Sequence, residues 1–302
     1  MSLVVVGSVA LDTVTAPAGS VRDALGGSAV FFATAASLFC PVGVVGVVGD
    51  DFPEAGRRLL ADRGVDLEGL ETVKGGATFR WEGVYHDDLN QRDTISTELG
   101  VFETFEPKLP DSYKATQVAF LANIDPKLQL RVLDQLEAPR FVACDTMNLW
   151  IDIARDSVCE VLGRVDGVII NDQEAKQLTG LSDTVRAARA VAEMGPRVVA
   201  VKKGEHGCLL LADGAWFAGA ALPLENVVDP TGAGDTFAGG FMGYLAGADI
   251  GDPAAFRRAV AYGTVLASFA CEGFSLEGLV PVTREDVEAR LAEYARLISL
   301  DG

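Results

Sequence analysis

Histidine is nearly absent: His86 and His206 are the only two among 302 residues. Both stand in polar, turn-like stretches, so a histidine metal site or a histidine-centred triad has little basis here. Cysteine is sparse too. Cys40, Cys144, Cys159, Cys208 and Cys271 are scattered, odd in number and without C-x-x-C spacing. That pattern excludes a disulfide framework and a zinc site, and it suits free thiols in a reducing compartment. No apolar run reaches the ~18 residues a membrane span needs. The opening Leu3-Val4-Val5-Val6-Gly7 has no basic region before it, so it reads as a buried strand rather than a leader, and a cytoplasmic location is expected. Positive charge is also scarce. Lysine and arginine total 25 against 43 acidic residues, for a net charge of −18. That field repels phosphate backbones and anionic lipid, so neither nucleic acid nor membrane is expected as a partner. An anionic small molecule would need a local site that overcomes the global field. GxxxxGK[ST] is missing, which excludes a P-loop, and the glycines of 43–49 lack the GxGxxG order of a dinucleotide fold.

What the chain does have is a regular alternation. Short apolar runs at 3–7, 42–48, 118–122, 141–144, 168–170, 198–201 and 208–211 are near-continuous Val, Ile, Leu and Ala. Such runs mark strands buried on both faces. Helical patterns lie between and after them, at 29–39, 54–63, 127–137, 151–162, 184–194 and 256–269, and Gly195-Pro196 stops one of them. Strand and helix in alternation predict an α/β fold: a mostly parallel central sheet with helices on both faces. One region differs. Thr78-Phe79-Arg80-Trp81-Glu82-Gly83-Val84-Tyr85 alternates apolar and polar residues and is followed by a polar stretch at 87–98. This suits a half-wet β-flap inserted in the α/β core. A single domain over 1–302 is expected, with a small lid drawn from about 12–24 and 73–106.

The strongest chemical signal is Asp229-Pro230-Thr231-Gly232-Ala233-Gly234-Asp235-Thr236-Phe237. Gly232, Ala233 and Gly234 have almost no side chain, so a ligand can approach the backbone. Phe237, Phe241 and Leu245 recur at helical spacing, so a helix starts here, and free N–H groups at a helix start attract an anion. Asp235 sits on the same turn. A carboxylate beside an anion hole can take a proton from an attacking hydroxyl while the amides stabilise a transferring phosphoryl group. The same position also suits a simple helix cap, and the residues alone leave both readings open.

That segment resembles the C-terminal signature of the ribokinase-like (PfkB) carbohydrate kinases, and the resemblance spans nearly the whole chain. Gly7-Ser8-Val9-Ala10-Leu11-Asp12 is similar to the family's first strand, Gly26-Gly27-Ser28-Ala29 to its di-glycine segment, and Gly49-Asp50-Asp51-Phe52 to the turn that follows. Asn171-Asp172-Gln173-Glu174 matches the Asn-x-x-Glu motif, and Lys202-Lys203-Gly204-Glu205-His206-Gly207 stands at the nucleotide-side turn. The resemblance implies a three-layer ribokinase-like fold and an ATP-dependent phosphotransferase acting on a hydroxyl of a small sugar or polyol. It implies Asp235 as base and the amides of Gly232, Ala233 and Gly234 as anion hole. Asp12, Gly26, Gly27, Ser28, Phe31 and Asn123 fall on the substrate side. Asn171, Glu174, Lys202, Gly204, Gly207, Thr231 and Tyr262 fall on the nucleotide side. Asn171 and Glu174 would organise Mg²⁺ through water, while Asp229 and the Thr231 carbonyl stand where family members can bind a monovalent cation such as K⁺. Family lids both cover substrate and form homodimer contacts.

Three departures bear on the acceptor. Phe31 replaces an asparagine that contacts substrate hydroxyls in many sugar kinases, and a flat ring there suits the C–H face of a cyclic polyol or a nucleobase. Inositol kinases of the family share this pattern, so a polyol acceptor is expected first and an adenosine-type nucleoside kinase second. A ligand-binding relative without catalysis is the third reading, and intact Asp235, Asn171 and Glu174 argue against it. Asp145-Thr146-Met147-Asn148-Leu149-Trp150 lacks the basic residue often found there, which disfavours a phosphorylated acceptor. Tyr262 stands in the adenine region, where asparagine is common.

Overall fold

The computed structural model describes residues 1–252 and 254–299, so residues 253 and 300–302 of the expected domain lie outside the described residues. The strands are β1 (Leu3–Val6), β2 (Ala10–Ala16), β3 (Gly19–Gly26), β4 (Val42–Gly49), β5 (Val65–Val73), β6 (Phe79–Tyr85), β7 (Arg92–Glu98), β8 (Val118–Leu121), β9 (Phe141–Cys144), β10 (Gly167–Asn171), β11 (Val198–Lys202), β12 (Cys208–Ala212) and β13 (Ala215–Gly219). The helices are α1 (Ser28–Ala36), α2 (Glu54–Asp62), α3 (Asp111–Lys114), α4 (Pro126–Leu133), α5 (Asn148–Ile153), α6 (Arg155–Leu162), α7 (Asp172–Thr179), α8 (Thr184–Ala192), α9 (Ala233–Gly247), α10 (Ala255–Ala270) and α11 (Arg284–Ile298).

A nine-stranded sheet runs in the order β13-β12-β11-β10-β9-β8-β1-β4-β5. From β11 to β5 the neighbours are parallel, and β12 and β13 add an antiparallel edge. The continuous apolar runs have their cause here. Leu3 and Val5 point into one core with Phe120, Phe32 and Phe241, while Val4 and Val6 point into a second with Leu121, Val161 and Leu178. Helices α1, α9 and α10 cover the first face, and α4, α6, α7 and α8 cover the second. Truncating a residue such as Phe120, fully buried and stacked 4.6 Å from Phe32, would cost about 3–5 kcal/mol.

A separate four-stranded sheet has the order β3-β2-β6-β7. It takes in the polar flap and also β2, which is mostly buried, and β3, half of whose residues are exposed. Two differences from the sequence expectation stand out. The helix expected over 151–162 is two helices, α5 and α6, because Ala154 takes a non-helical φ of −142° and ψ of 32° between them. Strand β5 is likewise unannounced by its residues, since Val65, Leu67, Leu70 and Val73 are separated by polar residues and glycine and form no continuous apolar run. Among the described residues no helix is long and apolar enough to cross a membrane.

Candidate active site

The parallel strands β1, β8, β9, β10 and β11 end at one rim, where Ser8, Asn123, Asp145, Asn171 and Lys202 emerge. In open α/β sheets the crevice beyond the strand C-termini is where ligands bind. Helix α9 meets this rim by its N-terminus. Its cap, Gly232, has φ +75° in the left-handed region, and a Cβ there would stand 2.4 Å from the Phe31 ring. Only glycine satisfies both demands. The amides of Gly234 and Asp235 fall in the first turn, where no intrahelical acceptor exists, so they face outward as anion donors. Lys202 adds a charge to this cradle, since a Cβ on Gly234 would stand 3.0 Å from Nζ.

The loop before α9 is fixed by Asp229. Its Oδ1 accepts the Thr231 N–H at 2.8 Å, and its Oδ2 is buried with no hydrogen-bond partner among the described residues. An orphaned carboxylate oxygen of this kind is what a desolvated cation would satisfy.

Four acidic groups crowd the crevice. Burial pushes Asp235 up to about 7, helped by the negative charge of Asp145 and opposed by Lys202 and Arg92. Burial likewise pushes Glu174 up to about 7, with Asp145 adding and Lys202 opposing. Asp12 also rises to about 7 through burial, against a hydrogen bond from the Gly27 amide, with Asp235 and Asp229 raising it further. Asp145 is paired: its Oδ2 accepts Lys202 Nζ at 3.2 Å. Burial pulls Lys202 down, but Asp145, Glu174 and Asp235 outweigh it and hold the ammonium charged. Carboxyls poised near neutrality beside an amide cradle and a cation can exchange a proton with a hydroxyl while negative charge collects at the amides.

The small sheet closes over this crevice. The Thr231 hydroxyl donates to the Tyr85 hydroxyl at 3.2 Å. Asn90 lies against the turn at Gly204, where a Cβ would stand 2.6 Å from its Oδ1. Arg92 packs over Trp81 at 5.3 Å, and its charge is felt at Asp12, Glu174 and Asp235. Sequence reasoning misses Asn90, because a polar run between two strands reads as a solvated hairpin, whereas Tyr85 reads with Trp81 as an aromatic lid face that covers substrate or meets a second copy. Arg92 reads equally well as a solvated residue.

The structure brings Asp12, Gly26 and Gly27 together: a Cβ on Gly26 would stand 2.0 Å from Asp12 Oδ2, and Gly27 has φ +95°. Gly204 and Gly207 both have positive φ in a tight turn closed by Lys203 N–H to Gly207 O at 2.7 Å. Asn171 and Glu174 form a capping box on α7, with reciprocal bonds of 2.8 Å. One Glu174 oxygen is therefore taken by the Asn171 amide, and the other remains for a ligand.

Three expected site residues are corrected. Phe31 is 1% exposed, because every residue of α1 is buried and none of its faces meets solvent. Its ring packs directly under Gly232. Ser28 is also buried, and its hydroxyl is held by Ser8, with Oγ–Oγ 3.1 Å and Ser8 N–H to Ser28 Oγ 3.2 Å, so it staples the di-glycine turn to the end of β1. Tyr262 turns toward other helices: it stacks on Tyr244 at 4.8 Å, meets Phe39 edge-on and donates to Glu288 at 2.9 Å. Asn123 does stand at the rim, where its Oδ1 accepts Trp150 Nε1 at 3.0 Å and its Nδ2 faces Met147 Sδ at 3.1 Å.

The model of the pfkB family carbohydrate kinase matches residues 2–281. A cytidine kinase of Thermococcus kodakarensis is 35% identical over 255 residues, covering 82% of this chain and 90% of that protein. A nucleoside kinase of Methanothermobacter thermautotrophicus is 28% identical over 278 residues, covering 90% of this chain and 86% of that protein. Among solved structures, a putative ribokinase II of E. coli in complex with ATP and Mg²⁺ superposes with a TM-score of 0.80 at 21% identity, over 96% of this chain and 99% of that one. With a family match over nearly its full length and a carboxylate beside a glycine-rich helix start, the chain belongs to the pfkB carbohydrate kinases and is a phosphotransferase with the ribokinase-like fold.

Proposed function

We infer that this kinase transfers the γ-phosphoryl group of ATP to a ribose hydroxyl of a nucleoside, with a cytidine-type pyrimidine nucleoside as the first acceptor to test. The observation that carries this reading is the 35% identity to a cytidine kinase across 82% of the chain. Phe31 was the ring that suited either a polyol face or a nucleobase, and its burial takes that support from both readings alike, so the sequence likeness decides between them. Aromatic surface remains in Trp150 at the rim and Trp81 in the small sheet. Indole N–H can only donate, so Trp150 fixes the Asn123 oxygen toward itself and leaves the amide NH₂ to face a weak sulfur acceptor. The second N–H of that group, beside a ring, suits the carbonyl acceptor of a pyrimidine.

The residues divide the work. Asp12, whose carboxyl is packed against Gly26, takes hydrogen bonds from ribose hydroxyls. Asp235 takes the proton of the attacking hydroxyl. The amides of Gly234 and Asp235 and the ammonium of Lys202 take up charge on the transferring group, whereas the Ala233 amide, expected in the anion hole, is spent on the Pro230 carbonyl at 3.1 Å. Arg92 and Tyr85 bring the small sheet down as a lid and exclude water. The glycine turn at Gly204 and Gly207 gives donor phosphates access to backbone. Glu174 and Asn171 suit Mg²⁺ through water, since that ion keeps several waters and needs few carboxylates. When bound, Mg²⁺ neutralises charge on the phosphates. The buried, unpartnered Asp229 Oδ2, with the Thr231 carbonyl, suits K⁺.

The test is ADP release from ATP-Mg²⁺ with cytidine, uridine, adenosine, ribose and inositols, and with Asp235→Asn as control. Turnover of one nucleoside about 10²-fold above any free sugar or polyol, lost in the control, is expected. A sugar or inositol consumed faster than every nucleoside overturns the acceptor. Unchanged turnover in the control overturns the base.

A further inference from the structure

Asp145 is a buried carboxylate at the crevice to which neither the motifs nor the reaction just described gives a task. It is the first residue after β9 and is 6% exposed. Every part of it is pinned. Its main-chain oxygen accepts Gln129 Nε2 at 2.9 Å, and the same amide group also binds the carbonyls of Leu121 and Ala122. Its Oδ1 accepts the Thr146 N–H at 2.8 Å. That leaves Oδ2, which reaches across the end of β10 to Lys202 Nζ at the end of β11.

Lys202 is the opposite kind of group: a point charge on a flexible four-carbon stem. Its ammonium lies against the first turn of α9. Within its electrostatic reach are three carboxylates, Asp145, Glu174 and Asp235, yet among the described residues only Asp145 lies within ion-pair distance. A lysine collapsed onto Asp235 would block the base. A lysine collapsed onto Glu174 would leave the amide cradle.

We propose that Asp145 is a positioning residue that acts through Lys202: the pinned carboxylate holds the ammonium over the amide turn of α9, aimed at the transferring phosphoryl group and kept off Asp235. The proposal rests on the reading of Asp235 as base and of the first turn of α9 as phosphoryl cradle. Asp235 faces charged groups from four other segments: Asp145 after β9, Lys202 on β11, Arg92 on β7 and Asp12 on β2. Of these, Asp145 raises its proton affinity and Lys202 and Arg92 lower it.

The experiment compares Asp145→Asn, Lys202→Met and the double variant in steady-state turnover. Asparagine keeps the shape and the acceptor for the Thr146 N–H but removes the anion. Expected is a fall in kcat of about 10–10²-fold in Asp145→Asn, with the acceptor KM within about twofold, and no further fall when Lys202→Met already lacks the ammonium. Equal losses that multiply in the double variant overturn the proposal, as does an unchanged kcat in Asp145→Asn. A rise in acceptor KM at constant kcat overturns it too, by making Asp145 a substrate ligand. If Asp145→Asn does not fold, Asp145→Glu keeps the anion but displaces it by one methylene. The same kcat loss at unchanged acceptor KM is then expected, and wild-type kcat overturns the proposal. A readout independent of the acceptor is the ¹³C-detected titration of the Asp235 carboxyl in the unliganded protein. Its midpoint should drop by about one unit in Asp145→Asn, where the like charge is lost and the lysine is freed toward the base. A midpoint that stays in place overturns the proposal even where no acceptor has been found, whereas an inert wild type with a shifted midpoint counts only against the acceptor reading.

Discussion

Asp235→Asn should destroy activity and stabilise the unliganded fold, and the size of the gain follows from burial. Folding raises this carboxyl from 3.8 to about 7, close to 3 units. At 1.36 kcal/mol per unit the upper bound is about 4 kcal/mol of stability lost on ionising it in the folded state. The residue is partly exposed and its neighbours share the effect, so about 1–3 kcal/mol is the realistic figure. The sign follows from linkage. The folded pKa lies above the unfolded one, so the contribution is fully present below pH about 4 and is lost as pH rises through about 7. Asparagine never ionises, so the variant should match wild type in acid and exceed it at pH 8. Urea unfolding of both proteins without ligand, at pH 5 and pH 8, reads this directly. The gap between variant and wild type should widen by about 1–2 kcal/mol between those conditions. Equal stability at pH 8, or a gap independent of pH, would refute the account of a base held against its own solvation. Turnover in the same variant should fall by about 10²–10⁴-fold.

Three other perturbations probe separate parts of the site. Gly232→Ala should cost at least about 1–3 kcal/mol, since its φ is +75° and the added Cβ would meet the Phe31 ring; thermal unfolding together with kcat would show both losses, and a neutral substitution would contradict the packing. Arg92→Ala should lower kcat and also move the acid limb of the kcat/KM profile to higher pH, because Arg92 lowers the pKa of Asp235 and Asp12; a limb moving to lower pH would contradict that charge arrangement. Turnover should rise when K⁺ replaces Li⁺, and Asp229→Asn should abolish the difference, because the buried Oδ2 would no longer be an unpaired anion; a K⁺ response that survives the substitution would place the cation elsewhere.

Much of this protein is legible in one dimension because its signals are local. Doubly buried strands need continuous apolar runs, so every central strand from β1 to β12 except the rim strand β5 announces itself. A helix start that binds an anion needs small residues followed by a helical pattern, so 232–235 stands out from its residue types alone. The glycines at 26, 27, 204 and 207 mark tight backbone for the same reason, and three of the four do take positive φ. The exposed strand β3 and the break at Ala154 carry no such local mark.

Orientation is what the linear chain cannot express. Position in a motif places Phe31 and Tyr262 at ligands, but a helix turns each residue by a fixed angle and neighbouring helices decide what that angle meets. For Phe31 the neighbour is Gly232, and for Tyr262 it is Tyr244 and Glu288. Contacts between distant segments are equally hidden. Lys202 with Asp145, Tyr85 with Thr231, and Asn90 with Gly204 join residues 57, 146 and 114 positions apart, and none leaves a pattern in its own neighbourhood. The sequence by itself determined the doubly covered parallel sheet and the anion-binding turn, since burial and backbone conformation restrict residue type one position at a time. The tertiary structure alone decided which charges share the crevice and which aromatic rings turn into the packing, because electrostatics and packing act through space and are indifferent to separation along the chain.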